Sequence, residues 1–162
     1  MGTQVITIRS TVEKADVERI RSITESTGFF YPEEVETAVE LIEDRLTKGP
    51  RCGYHFLFAE EEGRTVGYTS YGPIACTRTS YDLYWIVVAG DYRGKGMGTR
   101  LLEASERAIS ALGGNRVYIE TSMRPLYEPT RGFYLARGYT SVAVLEDFYA
   151  PGDAKVIYLK VI

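Results

Sequence analysis

Tyr84-Trp85-Ile86-Val87-Val88-Ala89-Gly90-Asp91-Tyr92-Arg93-Gly94-Lys95-Gly96-Met97-Gly98-Thr99-Arg100-Leu101-Leu102 reads as the end of a strand, a glycine-rich turn and the opening of a helix. The aromatic and β-branched run from Tyr81 to Ala89 suits an extended, half-buried backbone. Beyond the turn, Leu101, Leu102, Ser105, Ala108, Ile109 and Leu112 recur on one helical face until Gly113-Gly114. Glycines at 94, 96 and 98 let the backbone approach a ligand closely, because no Cβ intervenes. The first N–H groups of a helix lack an intrahelical acceptor, and the aligned peptide dipoles place about half a positive charge there. A phosphate fits such a point, and Arg93, Lys95 and Arg100 add positive charge beside it. The turn lacks the Gly-Lys-Ser/Thr ending of a P-loop. Nor is it G-x-G-x-x-G, and no parallel βαβ unit opens the chain to make a dinucleotide fold.

Working outward, Gln4 to Arg9 alternates like a strand. Ala15, Val17, Ile20 and Ile23 follow at near-helical spacing up to Gly28. Pro32 opens a second predicted helix, striped by Val35, Ala38, Val39, Ile42 and Leu46, which ends at Gly49-Pro50. Tyr54 to Glu60 and Thr65 to Ala75 read as a hairpin around Glu61-Glu62-Gly63-Arg64. After the long helix come a strand from Arg116 to Thr121 and a short helix from Thr130 to Arg137. Strands from Tyr139 to Glu146 and from Lys155 to Val161 close the chain, joined by turn residues Pro151-Gly152-Asp153. The order β-α-α-β-β-β-α-β-α-β-β is that of a mixed α+β domain, and with no repeat or linker it is expected to span 1–162 as one domain.

At 162 residues, 44% hydrophobic and 25% charged, the chain has the balance of a globular protein able to bury one core. No run of about 18 apolar residues is present to cross a bilayer, and the N-terminus lacks a secretory pattern, so the cytoplasm is the expected location, away from any membrane. A net charge of -3 argues against nucleic acid as a partner. The single histidine, His55, rules out a metal site of several histidines, and it reads as a strand residue; no metal is expected. Cys52 and Cys76 read as ordinary thiols.

Arg93-Gly94-Lys95-Gly96-Met97-Gly98 matches the R/Q-x-x-G-x-G/A turn of the GNAT superfamily of N-acetyltransferases, and Phe133-Tyr134-x-x-x-Gly138-Tyr139 resembles the family's F-Y-x-x-x-G-F/Y signature. The two motifs lie about forty residues apart in the family's order, and the element order agrees along nearly the entire chain. The resemblance implies a three-layer α/β/α fold with a central, mostly antiparallel twisted sheet of about seven strands and four helices. It also implies acetyl-CoA as the acyl donor, with coenzyme A as product. The turn, from Arg93 through Gly94, Lys95, Gly96, Met97 and Gly98 to Thr99, would hold the pyrophosphate, while main-chain groups of Ile86, Val87 and Val88 would meet the pantetheine arm. Tyr127 stands where many members carry an asparagine that touches the cofactor, and it is counted with that set.

The implied reaction is direct attack of a primary amine on the thioester, through an oxyanion, with loss of the thiolate. The Val88 N–H would stabilise the oxyanion if the strand bulges there. Tyr134 falls at the position of the family's catalytic tyrosine, and a phenol with a pKa near 10 can protonate the thiolate at neutral pH. For the amine's proton the candidates are carboxylates in strands. Asp82 shares a strand face with Tyr84 and Ile86, and lies where some members place a glutamate base; Glu120 is the alternative. Either carboxylate can instead bind the amine as an ion-pair partner.

In this superfamily the acceptor cleft involves the first two helices and their connection. Here that connection is Phe29-Phe30-Tyr31-Pro32 followed by Glu33, Glu34 and Glu36. Together with Tyr84, the rings are candidates to line the acceptor site, and the acids can attract a cationic amine. Alternatively, the acids complement a helix N-terminus and the rings are core. The expected acceptor is a small-molecule amine. The alternatives are a protein N-terminus or lysine, and a non-catalytic coenzyme A-binding sensor. Exposed residues around Phe148-Tyr149 would suit a homodimer edge, or merely the end of a sheet.

Overall fold

The computed structural model describes residues 5–162. Its elements follow the predicted order: strand β1 (Ile6–Arg9), helices α1 (Asp16–Ser26) and α2 (Pro32–Lys48), strands β2 (His55–Glu61), β3 (Arg64–Pro73) and β4 (Ser80–Val88), helix α3 (Met97–Ala111), strand β5 (Arg116–Ser122), helix α4 (Glu128–Ala136) and strands β6 (Thr140–Ala150) and β7 (Asp153–Val161). The strands form a seven-stranded sheet in the order β1-β2-β3-β4-β5-β7-β6. Strands β4 and β5 run parallel, whereas β1–β2, β2–β3, β5–β7 and β6–β7 are antiparallel. This is the mixed α+β arrangement of seven strands and four helices that the two motifs implied.

Several boundaries differ from the sequence reading. Gln4 lies outside the described residues. Leu112, expected on the buried face of α3, is 52% exposed, because the helix ends at Ala111. Helix α4 starts two residues before Thr130, with Pro129 in its first turn, where the missing N–H costs nothing. Strand β6 runs on to Ala150, past the expected end at Glu146.

The chain divides into two compact units. One comprises the chain up to Gly72 with Trp85–Ala108, and the other Pro73–Tyr84 with Ile109–Ile162. In the first unit, Ile20, Ile23, Ala38, Val39 and Ile42 from α1 and α2 pack with Phe56, Phe58 and Tyr68 of the β2–β3 hairpin. A smaller cluster joins Ala59 and Val66 to Met97 and Leu101 at the start of α3, which ties the glycine turn to the sheet. At the edge of this unit Asp16 is fully buried at the head of α1. Burial alone would push its carboxyl up, but hydrogen bonds from Arg9, Arg19 and the Glu13 N–H outweigh burial and hold it below its ordinary range. Arg9 also bonds Glu60 on β2, so β1, α1 and β2 share one charged clasp.

In the second unit, Val117 and Ile119 of β5 and Val156 and Tyr158 of β7 are buried beside Tyr134 and Tyr139. The ring of Tyr134 lies 5.9 Å from Tyr139 and 6.0 Å from Tyr158. Gly138 ends α4, and the Tyr139 N–H returns to the Tyr134 carbonyl at 3.1 Å. The F-Y-x-x-x-G-Y signature is therefore a packing unit.

Candidate active site

The first unit carries the glycine turn. Gly94 and Gly96 have φ of +74° and +77°, and a Cβ built at either would meet nothing within 4 Å. Both positions are left-handed, so glycine is required by the backbone and not by crowding. The turn faces open space where a ligand can approach its main chain. The helical ladder begins with the Arg100 N–H on the Gly96 carbonyl at 3.2 Å. The amides of Met97 and Gly98 precede that bond, which makes them anion donors by position. Met97 is buried and anchors this end of the helix, while Lys95 and Arg100 are exposed. This donor set fits a pyrophosphate.

Strand β4 leads into the turn past a close approach. A Cβ at Gly67 of β3 would come within 3.0 Å of the Val87 carbonyl oxygen and of Leu101 Cδ1. The Ala89 N–H donates to the Val66 carbonyl at 2.9 Å. Ile86 and Val88 are half-buried while Val87 is core. The turn is also braced from its flank: Arg64 pairs with Asp91 at 3.0 Å, and the Tyr92 hydroxyl donates to Glu61. These braces had no signature in the sequence, because each partner lies about thirty residues away from the other.

Arg93 is turned toward the helical connection. Its guanidinium donates to the Thr27 carbonyl at 3.3 Å and stacks 4.3 Å over the Phe29 ring. Among the proposed acceptor-site rings of this unit, Phe30 packs edge-on against Trp85 at 5.2 Å and joins the core, whereas Tyr31 is 57% exposed. Of the acids, Glu34 accepts the Tyr31 N–H at 2.8 Å as a helix cap, and Glu36 pairs with Arg21. Glu34 thus does the helix-terminus work of the alternative reading, while Glu36 ties α2 to α1.

The second unit carries the proton-transfer candidates. Tyr134 is buried, and burial pushes its phenol up, so it keeps its proton across the physiological range. Asp82, on the first half of β4, is half-buried and without an ion-pair partner among the described residues. Burial first, and the Glu120 carboxylate second, push its pKa up to about 6 against the pull of Lys155. Register puts Asp82 opposite Tyr118 of β5, so Asp82, Tyr118 and Glu120 share one face. Glu120 itself is exposed and ion-paired, its Oε2 lying 2.6 Å from Lys155 Nζ. Tyr84 is 38% exposed. Tyr127 is half-buried at the entrance to α4, its ring 5.5 Å beneath the Arg124 guanidinium. His55 stacks on Tyr71 as a strand residue.

An anion-binding helix start fed by a strand, a raised carboxyl and a protonated buried phenol are the parts of a group-transfer enzyme with a phosphorylated donor. The sequence pattern of the Acetyltransferase (GNAT) family matches residues 18–139, and the chain belongs to that family. It is an acyltransferase with acetyl-CoA as its cosubstrate. No curated protein matches the chain. Among solved structures, one assigned to the GNAT acetyltransferases, from Desulfovibrio desulfuricans, is 42% identical over 97% of this chain and 99% of that one, with a TM-score of 0.95. An aminoglycoside 6'-N-acetyltransferase in complex with coenzyme A is 20% identical over 97% and 96% of the two chains, with a TM-score of 0.78. The ribosomal-protein-S18-alanine N-acetyltransferase from Escherichia coli is 17% identical over 98% and 94%, at 0.77. The last two share the fold and differ in what they acetylate.

Proposed function

We propose that this acetyltransferase, acting as one domain in the cytoplasm, transfers the acetyl group of acetyl-CoA to the primary amine of a small molecule by direct attack. Asp82 takes the amine's proton, and Tyr134 serves as general acid. The observation that carries this reading is the Asp82 carboxyl, raised to about 6 by burial and by Glu120. A base of that pKa is mostly ionised at neutral pH, yet more basic than an ordinary carboxylate and so better able to relieve an ammonium of its proton. With Glu34 engaged by the Tyr31 N–H, Glu36 by Arg21 and Glu120 by Lys155, Asp82 is the carboxylate of the proposed site left to attract a cationic amine. The aminoglycoside 6'-N-acetyltransferase among the neighbours uses this same fold, which supports the substrate class by analogy alone.

The residues divide the work. The main-chain amides from Arg93 to Thr99 and the Lys95 ammonium grip the pyrophosphate, the Arg93 guanidinium bracing the turn against Thr27 and Phe29, and the main chain of Ile86 and Val88 orients the pantetheine arm. The Val88 N–H donates to the oxygen that gains charge as the N–C bond forms. Tyr134 then gives its proton to the sulfur as the C–S bond breaks. Tyr31, exposed on the connection after α1, and Tyr84, exposed on β4, are each assigned to the acceptor; Phe29 and Phe30 shape the loop between α1 and α2. A homodimer through β6 completes the reading.

Thiol release from acetyl-CoA, followed over a panel of small amines and of peptides with free N-termini and lysines, tests it. Small amines are expected to turn over, and Tyr134→Phe to lower kcat about ten- to a thousandfold with less change in cofactor affinity. Unchanged kcat in that variant removes Tyr134 from the mechanism. A panel in which peptides alone react moves the acceptor to protein.

A further inference from the structure

Strand β7 brings Lys155 into the second unit, and the proposed chemistry has given it no part. It is 8% exposed, a position lysine rarely holds without a partner. Register aligns Ser122 with Lys155 and Glu120 with Ile157, so Lys155 and Glu120 share a face and meet diagonally across β5 and β7. Their charged atoms lie 2.6 Å apart. Because Asp82 aligns with Tyr118, two residues before Glu120, the same face carries Asp82.

A second contact holds the ammonium. Lys155 Nζ sits 4.1 Å above the Phe148 ring. Phe148 reaches that place because β6 leaves its register between Leu145 and Ala150. Within this stretch Asp147 adopts φ of +54° and its carboxylate accepts the Gly152 N–H at 2.7 Å. The irregular end of β6 thus presents an aromatic face to a buried cation.

We propose that Lys155 is a positioning residue for the acetyl transfer: clamped by Phe148, it holds the Glu120 carboxylate on the face shared with Asp82, and the two opposite charges together fix the pH at which Asp82 accepts a proton. This rests on the reading of Asp82 as the base. The charges that act on Asp82 are those of Glu120 and Lys155; Tyr118 is its register partner on β5, and Tyr84 lies two residues along β4. Glu120 disfavours the ionised form of Asp82, and Lys155 favours it.

Removing either partner therefore displaces Asp82 in opposite directions. In Lys155→Met the anion Glu120 stays and the cation goes, so Asp82 holds its proton to higher pH. In Glu120→Gln the cation stays, and Asp82 releases its proton at lower pH. The expected displacement is about half to one pH unit each way. The double variant is expected to return close to the parent, and Lys155→Arg, which keeps the charge, to shift little.

The test measures the Asp82 carboxyl directly by carbon-detected NMR titration of the four variants, alongside the acidic limb of kcat/KM against pH. Opposite displacements of the Asp82 titration in Lys155→Met and Glu120→Gln support the inference. No displacement, or displacement of both in one direction, overturns it whatever Asp82 does. If the carboxyl titration moves as expected while the rate profile stays fixed, the tuning stands and the reading of Asp82 as base fails. Should Lys155→Met not fold, Glu120→Gln against Phe148→Leu, which loosens the ammonium, carries the same comparison with a smaller shift in the Lys155 direction.

Discussion

Asp82 is a carboxyl held partly out of water, and its raised proton affinity makes a claim on stability as well as on rate. In the unfolded chain its pKa is the ordinary 3.8, while in the native state burial and then Glu120 raise it to about 6. Between these values the native state binds more protons than the unfolded state, so this group's contribution to stability is present below pH 3.8 and is lost as pH rises through about 6. Above that, the ionised carboxylate weighs against the fold. Asp82→Asn removes the charge and is expected to stabilise the protein at pH 7.5 but not at pH 4. After discounting for solvent around a half-exposed group, the gain is about 1 kcal/mol, a few degrees in Tm. The same variant is expected to lose turnover. Thermal melts of the parent and variant across this range check the sign; a difference in Tm that does not depend on pH would falsify the assignment.

The β4–turn–α3 element was the most legible part of the chain, because its chemistry is local. A strand of Tyr, Trp, Ile and Val residues, glycines at alternate positions and a leucine pair specify extended backbone, left-handed turn and helix without reference to anything distant. The left-handed φ at Gly94 and Gly96 turns that legibility into an expectation. Replacing both by alanine is expected to cost about 1–2 kcal/mol each in backbone strain, and to weaken acetyl-CoA binding about tenfold or more by turning amides away from the pyrophosphate. Calorimetric titration, with circular dichroism to confirm that α3 persists, reads the outcome; full affinity in a folded double variant would show that the turn does not hold the donor. Distant partnerships were illegible by contrast. Asp82 and Glu120 were recognisable as carboxylates in strands, but the pairing of Glu120 with Lys155, across 35 positions, depends on β7 lying beside β5 in one particular register. The acids after Pro32 show the converse. Their sequence could not say whether they serve a ligand or a helix, and Glu34 and Glu36 are committed by an N–H and a guanidinium that only the fold supplies.

Over the whole molecule the apolar surface is unevenly spread. Val142, Val144, Leu145, Phe148 and Tyr149 of β6 are all at least 40% exposed, and β6 is the terminal strand of the sheet order. An exposed, apolar terminal strand invites association, and natural sheets guard against continuous edge pairing by bending the edge. Here β6 slips register between Ser141 and Ala143 and again between Leu145 and Ala150, which breaks the row of main-chain groups a second strand would need. Side chains can still pack. A two-fold contact places the same patch on both copies, so apolar residues meet apolar residues without requiring a charge partner, and the proposed homodimer is best read as face packing of β6 side chains. Sedimentation velocity at tens of micromolar is expected to show a dimer, and Val142→Lys with Val144→Lys to convert it to monomer through like-charge repulsion across the symmetry axis. Neither position belongs to the residues assigned to the donor or the proton transfers, so turnover per chain is expected to survive the change. A parent that sediments as a monomer at every concentration removes the dimer and leaves the β6 patch as exposed surface; a monomeric variant that also loses turnover would instead couple the patch to the active site.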